Sequence, residues 1–368
     1  MDFSLSQDQQ ALGALVRQIC AGQLSAERRK AVDAQPVRLD RALWRDLAAA
    51  GVVGAGLPES VGGGGFDFIE QCAVQVELGR FVAPVPYLSV VTAAAAIAHF
   101  GSDGQRAQWA APAARGELLL VTALAEEFPD SLEAPLTRAE ADGENFRLTG
   151  SKALVPFGGV ADAFLVSADA VDGSALFVVL PTDDGVSLTG QQIVDGDQES
   201  SLDLDRVALS ADRLVAGGDV LHWLVARTTV GLAAYQAGVL DRALELTAAY
   251  AREREQFGRR IGSFQAVAQR LADAYIDVEA ARLTMWEAAW RIAEGLSCPT
   301  EVATAKFWAA DAGHRVAHTA VHVHGGTGID LDGEVHRYFT AAKRTEFTLG
   351  HATAQLRRIG AELAATPA

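Results

Sequence analysis

The spacing of apolar and polar positions changes twice along this chain. From residue 4 to about 115 the segments are Ala- and Leu-rich and read as helices, broken by Gly and Pro clusters at 51–65 and 84–86. From about 116 to 219 short apolar runs appear instead: LLLVTALA, FRLTGSKALV, AFLVSA, ALFVVLP, VSLTG and SSLDLDRVAL. Polar turns such as ADGEN and PTDDG separate them, the pattern of a small antiparallel sandwich or barrel. From 220 onward helical periodicity returns and runs long enough for a bundle of several helices. The pattern predicts an α+β multi-domain chain: an N-terminal helical domain at 1–115, a middle antiparallel β domain at 116–219 and a C-terminal helical bundle at 220–368.

The richest stretch is 250–269, YAREREQFGRRIGSFQAVAQ, which ends one helix and starts another. Upstream, Leu232, Val239, Leu240, Ala243 and Leu246 mark an apolar stripe; downstream, Phe264, Val267, Leu271, Tyr275, Val278 and Met285 recur at helical steps. Gly258 and Gly262 punctuate the reversal. Arg254, Gln256 and Phe257 therefore project from a helix-end corner. A guanidinium, an amide and an aromatic ring together suit a diphosphate and the edge of a flat ring system. An exposed charged loop is the plain alternative.

Composition narrows the classes. With 49% hydrophobic and 21% charged residues, 368 residues fill two or three ordinary domains. The formal net charge of -16 argues against a nucleic-acid or anionic-membrane partner, because both demand a basic face. A polyanionic ligand would need a local basic patch, for which RERE-QFGRR and 337–344 are the candidates. The start MDFSLSQDQQ has no basic stretch and no apolar core of a signal peptide, and no run approaches membrane-span length, so a cytoplasmic protein is expected. Cys20, Cys72 and Cys298 are odd in number, far apart and outside metal-ligand spacing, and read as buried thiols. His314 and His318 lie four apart but lack a third ligand nearby, so no metal site is assigned. Trp286, Trp290 and Trp308 read as bundle core or interface.

The corner at 254–265 resembles the C-terminal signature of the acyl-CoA dehydrogenase family, R-x-(T/Q)-F-G followed by F-Q. Two further blocks are similar to that family: LWRDLAAAGVVGAGLPESVGGGGFDFIEQCAVQVELGRFVAPVP at 43–86, and HVHGGTGIDLDGEVHRYFTAAKRTEFTLG at 322–350, which matches a Q-x-x-G-G-x-G segment. The resemblance covers nearly the whole chain and implies the helical, β, helical order of domains. It also implies FAD-dependent α,β-dehydrogenation of an acyl-CoA thioester, with electrons passed on to an electron-accepting flavoprotein or similar acceptor. By the resemblance, Arg254, Gln256 and Phe257 meet the diphosphate and ring edge of the neighbouring subunit's flavin, and Gln265 supplies an adenine-side amide. Gly325 and Gly326 match the glycines that let backbone approach the cofactor, with a tight turn as the alternative. His322 stands where glutamine is usual.

The departures from the family matter as much. The glutamate that usually acts as base falls here at Leu349, before Gly350, and the alternative base position falls at about Thr228. No Asp or Glu occurs between Asp219 and Asp241, so no catalytic residue is assigned to this chain. Glu346, beside Lys343 and Arg344, reads as a surface ion pair. In the β domain Leu154 and Pro156 replace the usual aromatic and hydroxyl residues, and LAEEFPDSLEA lacks the Gly-Ser of the phosphate loop. One half-set lost and the other kept is similar to the short, base-less subunits of actinobacterial heteromeric enzymes that act on steroid side-chain CoA thioesters. That resemblance implies an α2β2 heterotetramer with a second acyl-CoA dehydrogenase subunit, holding FAD at unlike-subunit interfaces. A self-sufficient homomeric dehydrogenase with another base, and a non-catalytic scaffold, are the rival readings.

Overall fold

Helices fill the ordered elements up to Ala114, strands run from Leu120 to Gly217, and helices resume at Val220. This computed structural model describes residues 6–127 and 131–365. Residues 1–5 of the MDFSLSQDQQ start and residues 128–130 of the LAEEFPDSLEA loop lie outside the described residues. The chain divides into two units, one from Met1–Ala21, Gln71–Ala83 and Thr229–Ala368, the other from Gly22–Glu70 and Pro84–Thr228. The division falls inside three helices, Gln7–Gln23, Phe68–Arg80 and Val220–Glu253.

The unit formed by Gly22–Glu70 and Pro84–Thr228 carries the sheet. Its strands are β1 (Leu120–Ala123), β2 (Arg138–Asp142), β3 (Asn145–Val155), β4 (Ala163–Ala170), β5 (Gly173–Val179), β6 (Val186–Gln192), β7 (Gln198–Leu209) and β8 (Leu214–Gly217). They run in the order β6-β7-β3-β2-β4-β5-β8, with β1 pairing β4. The ladders are antiparallel except where β4 meets β1 and β2 in parallel. Central β4 is apolar and buried over residues 163–168, as a strand with neighbours on both sides and covered faces requires, whereas edge β6 is polar and largely exposed. Sequence reading anticipated the ADGEN turn but not β2, whose RAEAD run buries only Ala139. Pairing of Asp142 with Asn145 across a two-residue turn with Gly143 at φ 67° makes it a hairpin arm.

The other unit is a helical bundle. Its core gathers Val239, Leu240, Ala243, Ala274, Val278, Ala281, Val316 and Tyr338, from the helices Val220–Glu253, Gln265–Ala293, Pro299–His324 and Val335–Phe347. Gly79 and Gly238 let Phe68–Arg80 and Val220–Glu253 touch backbone to backbone: a Cβ at Gly79 would lie 2.0 Å from the Tyr235 carbonyl oxygen, and one at Gly238 1.9 Å from that of Val76. Arg80 then pairs with Asp241 and Glu245, and the Tyr338 hydroxyl donates to the Arg80 carbonyl at 2.7 Å. The fully buried Gln236 amide donates to the carbonyls of Ala309 and Ala342, tying three helices at one point. Tyr275, predicted on the apolar stripe, is 59% exposed, and Trp290 is 47% exposed. Trp308 packs against the core.

Two lysines are fully buried, one in each unit. Lys152 on β3 donates to Glu126 at 2.6 Å and to the Ser167 hydroxyl at 3.0 Å. Glu126 also accepts from the Leu136 and Thr137 amides and the Thr137 hydroxyl, which fastens it to the start of β2 as well as to β3. Burial pulls the Lys152 ammonium down to about 8 despite the Glu126 charge. For Glu126 burial acts in the opposite sense, but the Lys152 charge and these hydrogen bonds outweigh it and hold the carboxyl below its ordinary range. Lys306 donates to the carbonyls of Thr345 at 3.0 Å and Glu346 at 3.2 Å, capping the last turn of Val335–Phe347 with a cation. Burial, reinforced by Arg358 and opposed by Glu346, pulls Lys306 down to about 7.

Glu126→Gln leaves the Lys152 ammonium without its counter-charge, and loss of one partner of a buried pair costs about 3–5 kcal/mol. Thermal unfolding should show a clearly lowered midpoint. Lys306 binds its proton less tightly in the fold, at about 7, than in the unfolded chain, at the ordinary 10.5. Between those values the unfolded chain holds more protons, so this residue makes stability rise with pH over that window. In denaturant titrations across about pH 7 to 10, Lys306→Met should flatten that rise; an unchanged slope would remove the buried amine from the account.

Candidate functional site

The helix Val220–Glu253 ends in a two-residue hairpin rather than a loose loop. Glu255–Gln256 pairs antiparallel with Arg259–Arg260, Gln256 opposite Arg259 and Glu255 opposite Arg260. The connecting residues, Phe257 at φ 55° and Gly258 at φ 76°, both take the left-handed backbone that a type I′ turn needs. Glycine adopts it freely, but phenylalanine pays for it in steric crowding. The return strand is held by the Ile261 amide, which donates to the Arg254 carbonyl at 2.8 Å.

This hairpin lifts its side chains into solvent. The Phe257 ring is 93% exposed, with one edge-on contact to Phe264 at 6.3 Å between centroids. The Arg254 side chain is exposed and has no acidic partner among the described residues. The Gln256 amide donates only to the neighbouring Glu255 carbonyl at 2.8 Å. The Arg259 guanidinium lies over the Phe264 ring at 4.1 Å, and the next helix, Gln265–Ala293, opens with Gln265, also exposed. An exposed aromatic face beside an unpaired guanidinium suits a flat, anionic ligand.

The glycine segment belongs to the same unit. His322 sits exposed on the last turn of Pro299–His324, and Gly325, at φ 63° and ψ -138°, reverses the chain where any side chain would be strained. A Cβ at either Gly325 or Gly326 would meet nothing within 4 Å, so both backbones face open space that a ligand can enter. A ring stack joins this segment to the hairpin's helix: the Tyr250 and His324 rings lie 4.3 Å apart with planes 21° apart. Tyr250 and His324 were missed from the sequence, because neither lies at a position that the family signature singles out. The His322 carbonyl accepts the Gly325 amide, whereas the side chains of His322 and Gln265 make no hydrogen bond or ring contact with the other candidate residues among the described residues.

The resemblance singled out Leu349, Thr228 and Glu346 in weighing a base. Leu349 is a half-buried alkyl side chain on a backbone at φ 59°. Its carbonyl and that of Gly350 each accept from the fully buried Gln355 amide at 3.2 Å, while Lys306 holds the carbonyls of Thr345 and Glu346. The segment 345–350 is thus pinned at four carbonyls by two buried side chains. Thr228 is buried and its hydroxyl donates to the Leu224 carbonyl at 2.8 Å. Glu346 pairs with Lys343 at 2.5 Å and with His314 at 3.4 Å. In the sheet-bearing unit Leu154 lies at φ 51° in an irregularity of the β3–β7 ladder, between the Lys152–Leu202 and Val155–Ser200 pairs, where β3 carries one extra residue. The bulge turns Leu154 outward to 47% exposure. Lys306 had a legible signal, a charge inside the apolar face VATAKFWAA; Gln355 had none.

Comparison with known proteins matches residues 6–117 to the acyl-CoA dehydrogenase N-terminal domain and residues 216–364 to the acyl-CoA dehydrogenase C-terminal domain. The chain is 50% identical to acyl-CoA dehydrogenase FadE27 of Mycobacterium tuberculosis, with both proteins covered in full. Among solved structures it is similar to a chain of the ChsE4-ChsE5 complex from Mycobacterium tuberculosis, at 50% identity, TM-score 0.96 and complete coverage of both chains. It is also similar to a chain of the Tcur3481-Tcur3483 steroid ACAD variant, at 40% identity and TM-score 0.94, covering 99% of this chain and 100% of that one. Members of this family depend on FAD. With two domains matched in order and full-length identity to a named dehydrogenase, this chain belongs to the acyl-CoA dehydrogenase family.

Proposed function

We propose that this chain is the base-less subunit of a heteromeric, FAD-dependent acyl-CoA dehydrogenase that introduces an α,β double bond into the CoA thioester of a steroid side chain. The observation that carries the reading is the split between kept and lost chemistry. Arg254, Phe257 and the Gly325–Gly326 backbone stand exposed and open, while Leu349 and Thr228 offer no group that takes a proton. Similarity to chains of two-component complexes, one of them described as a steroid ACAD, supports the partner and the substrate class. The proposed assembly is an α2β2 heterotetramer in the cytoplasm, served by an electron-accepting flavoprotein. Its functional modules run 1–115, 116–219 and 220–368.

Each residue then has a defined task. When bound, FAD supplies the acceptor for the hydride that leaves the β-carbon. Arg254 would hold the diphosphate by charge-assisted hydrogen bonds, and Phe257 would cover the ring edge. Gln256 and Gln265 offer amide hydrogen bonds, Gln265 toward the adenine side, and His322 offers one more. Gly325 and Gly326 let the main chain approach without a Cβ in the way. Leu349 accepts no proton, so the α-proton would pass to a carboxylate of the partner. Glu346 stays committed to Lys343 and His314.

Three outcomes test this reading. Purified alone, the chain should carry little FAD, whereas its complex with the partner should be yellow; a stable yellow homo-oligomer would instead favour the homomeric enzyme. In the complex, Arg254→Ala should weaken FAD retention by about 1.5 to 3 kcal/mol, the usual worth of a charge-assisted hydrogen bond, with assembly intact by gel filtration. Glu346→Gln should leave flavin reduction by a CoA thioester nearly unchanged. Loss of a general base costs about 100- to 10,000-fold, so a drop of that size with assembly and FAD intact would make Glu346 catalytic.

A further inference from the structure

We propose that the stacked rings of Tyr250 and His324 form a brace that positions the hairpin at Glu255–Arg260 and the glycine turn at Gly325–Gly328 as one surface. The two segments are separated by more than sixty residues of chain. Each ring is anchored at its base. Tyr250 lies in the last turn of Val220–Glu253, and its carbonyl accepts the Arg254 amide at 2.9 Å, so movement of Tyr250 carries Arg254 with it. His324 is the last residue of Pro299–His324, and its Nδ1 lies 2.9 Å from the Ala320 carbonyl oxygen. A carbonyl only accepts, so Nδ1 carries the proton and the ring plane is set by that bond. The His324 carbonyl accepts from the Thr327 hydroxyl at 2.9 Å, and Gly328 packs against Val321, which ties the glycine turn to the same ring.

Both side chains are half-buried, and the stack at 4.3 Å and 21° is the contact that joins these two chain ends ring to ring. Without it the hairpin is held by the Ile261–Arg254 hydrogen bond and the glycine turn by the Thr327–His324 hydrogen bond, each to its own helix end. The brace makes Tyr250 and His324 positioning residues: they hold Arg254, Phe257 and the open glycine backbones in register for a ligand that spans both segments. This inference rests on the cofactor-facing role proposed above.

The test uses the assembled complex. Tyr250→Ala and His324→Ala should each speed release of FAD, followed by flavin fluorescence, by about 2- to 12-fold, the equivalent of one aromatic pair. The double variant should be no worse than either single one, since both break the same contact. Tyr250→Phe and His324→Phe keep a ring in place and should restore slow release. Hydrogen exchange adds a readout independent of FAD: His324→Ala should speed exchange at the amides of Gln256 and Arg259, and Tyr250→Ala at those of Gly326 and Gly328. Should the alanine variants fail to assemble, Tyr250→Leu and His324→Leu, which fill the space without stacking, take their place with the same expectations. Normal release and exchange in the non-aromatic variants, with Arg254→Ala still losing FAD, would overturn the brace and leave the cofactor reading standing. Unchanged FAD retention in Arg254→Ala itself would overturn the cofactor reading and the brace's purpose with it.

Discussion

The reversal at Phe257–Gly258 constrains the candidate site more than any other local feature. A helix of 34 residues must end, satisfy its last carbonyls and return within a few residues to start another helix. The chain does this with a tight hairpin, and the hairpin demands two successive left-handed residues. Placing phenylalanine at the first of them forces its ring outward to near-complete exposure, and the neighbouring Arg254 and Gln256 follow it into solvent. A water-exposed aromatic ring on a strained backbone is unfavourable in isolation. It makes sense in a protein that covers the ring with a ligand or another chain.

The same backbone state recurs at two positions to which the resemblance assigns chemistry in the acyl-CoA dehydrogenase family. Leu349 and Leu154 are both left-handed, and both are residues with no tolerance for it beyond what their surroundings impose. Such a residue costs on the order of 1–3 kcal/mol and persists only where the surrounding structure dictates it. Around Leu349 that support is visible in the four carbonyls held by Lys306 and Gln355; at Leu154 it is the extra residue of the β3 bulge together with the Gln191 side chain, which accepts the Leu154 amide at 3.1 Å. The scaffold that would present a base or a ring-stacking residue is therefore intact, and the side chains on it are apolar. This pattern supports the proposed reading of a subunit whose site is completed by a partner.

Much of the architecture was legible because its periodicities are strong. The long helices carry apolar residues at helical steps, and the β4 and β5 runs are short apolar stretches bounded by polar turns. The corner was legible because Phe-Gly after a helix, followed by two arginines, is a turn with a mechanism. What escaped lies in tertiary context. β2 is polar because its partners bury so little of it, and β8 is only four residues long. Tyr275 keeps helical spacing yet faces out, since spacing fixes a face but not which face is covered. The Tyr250–His324 stack joins residues far apart in sequence, and no local pattern announces such a pair.

The central claim is that one half of a flavin site is present in this chain and the other half is not. The stoichiometry of FAD in the purified complex, from its absorbance against the protein mass, tests it most directly. One FAD for each pair of unlike chains is expected, because cofactor is retained only where the partner supplies the ring pocket and base. One FAD for every chain would contradict the account and assign this protein a complete site of its own.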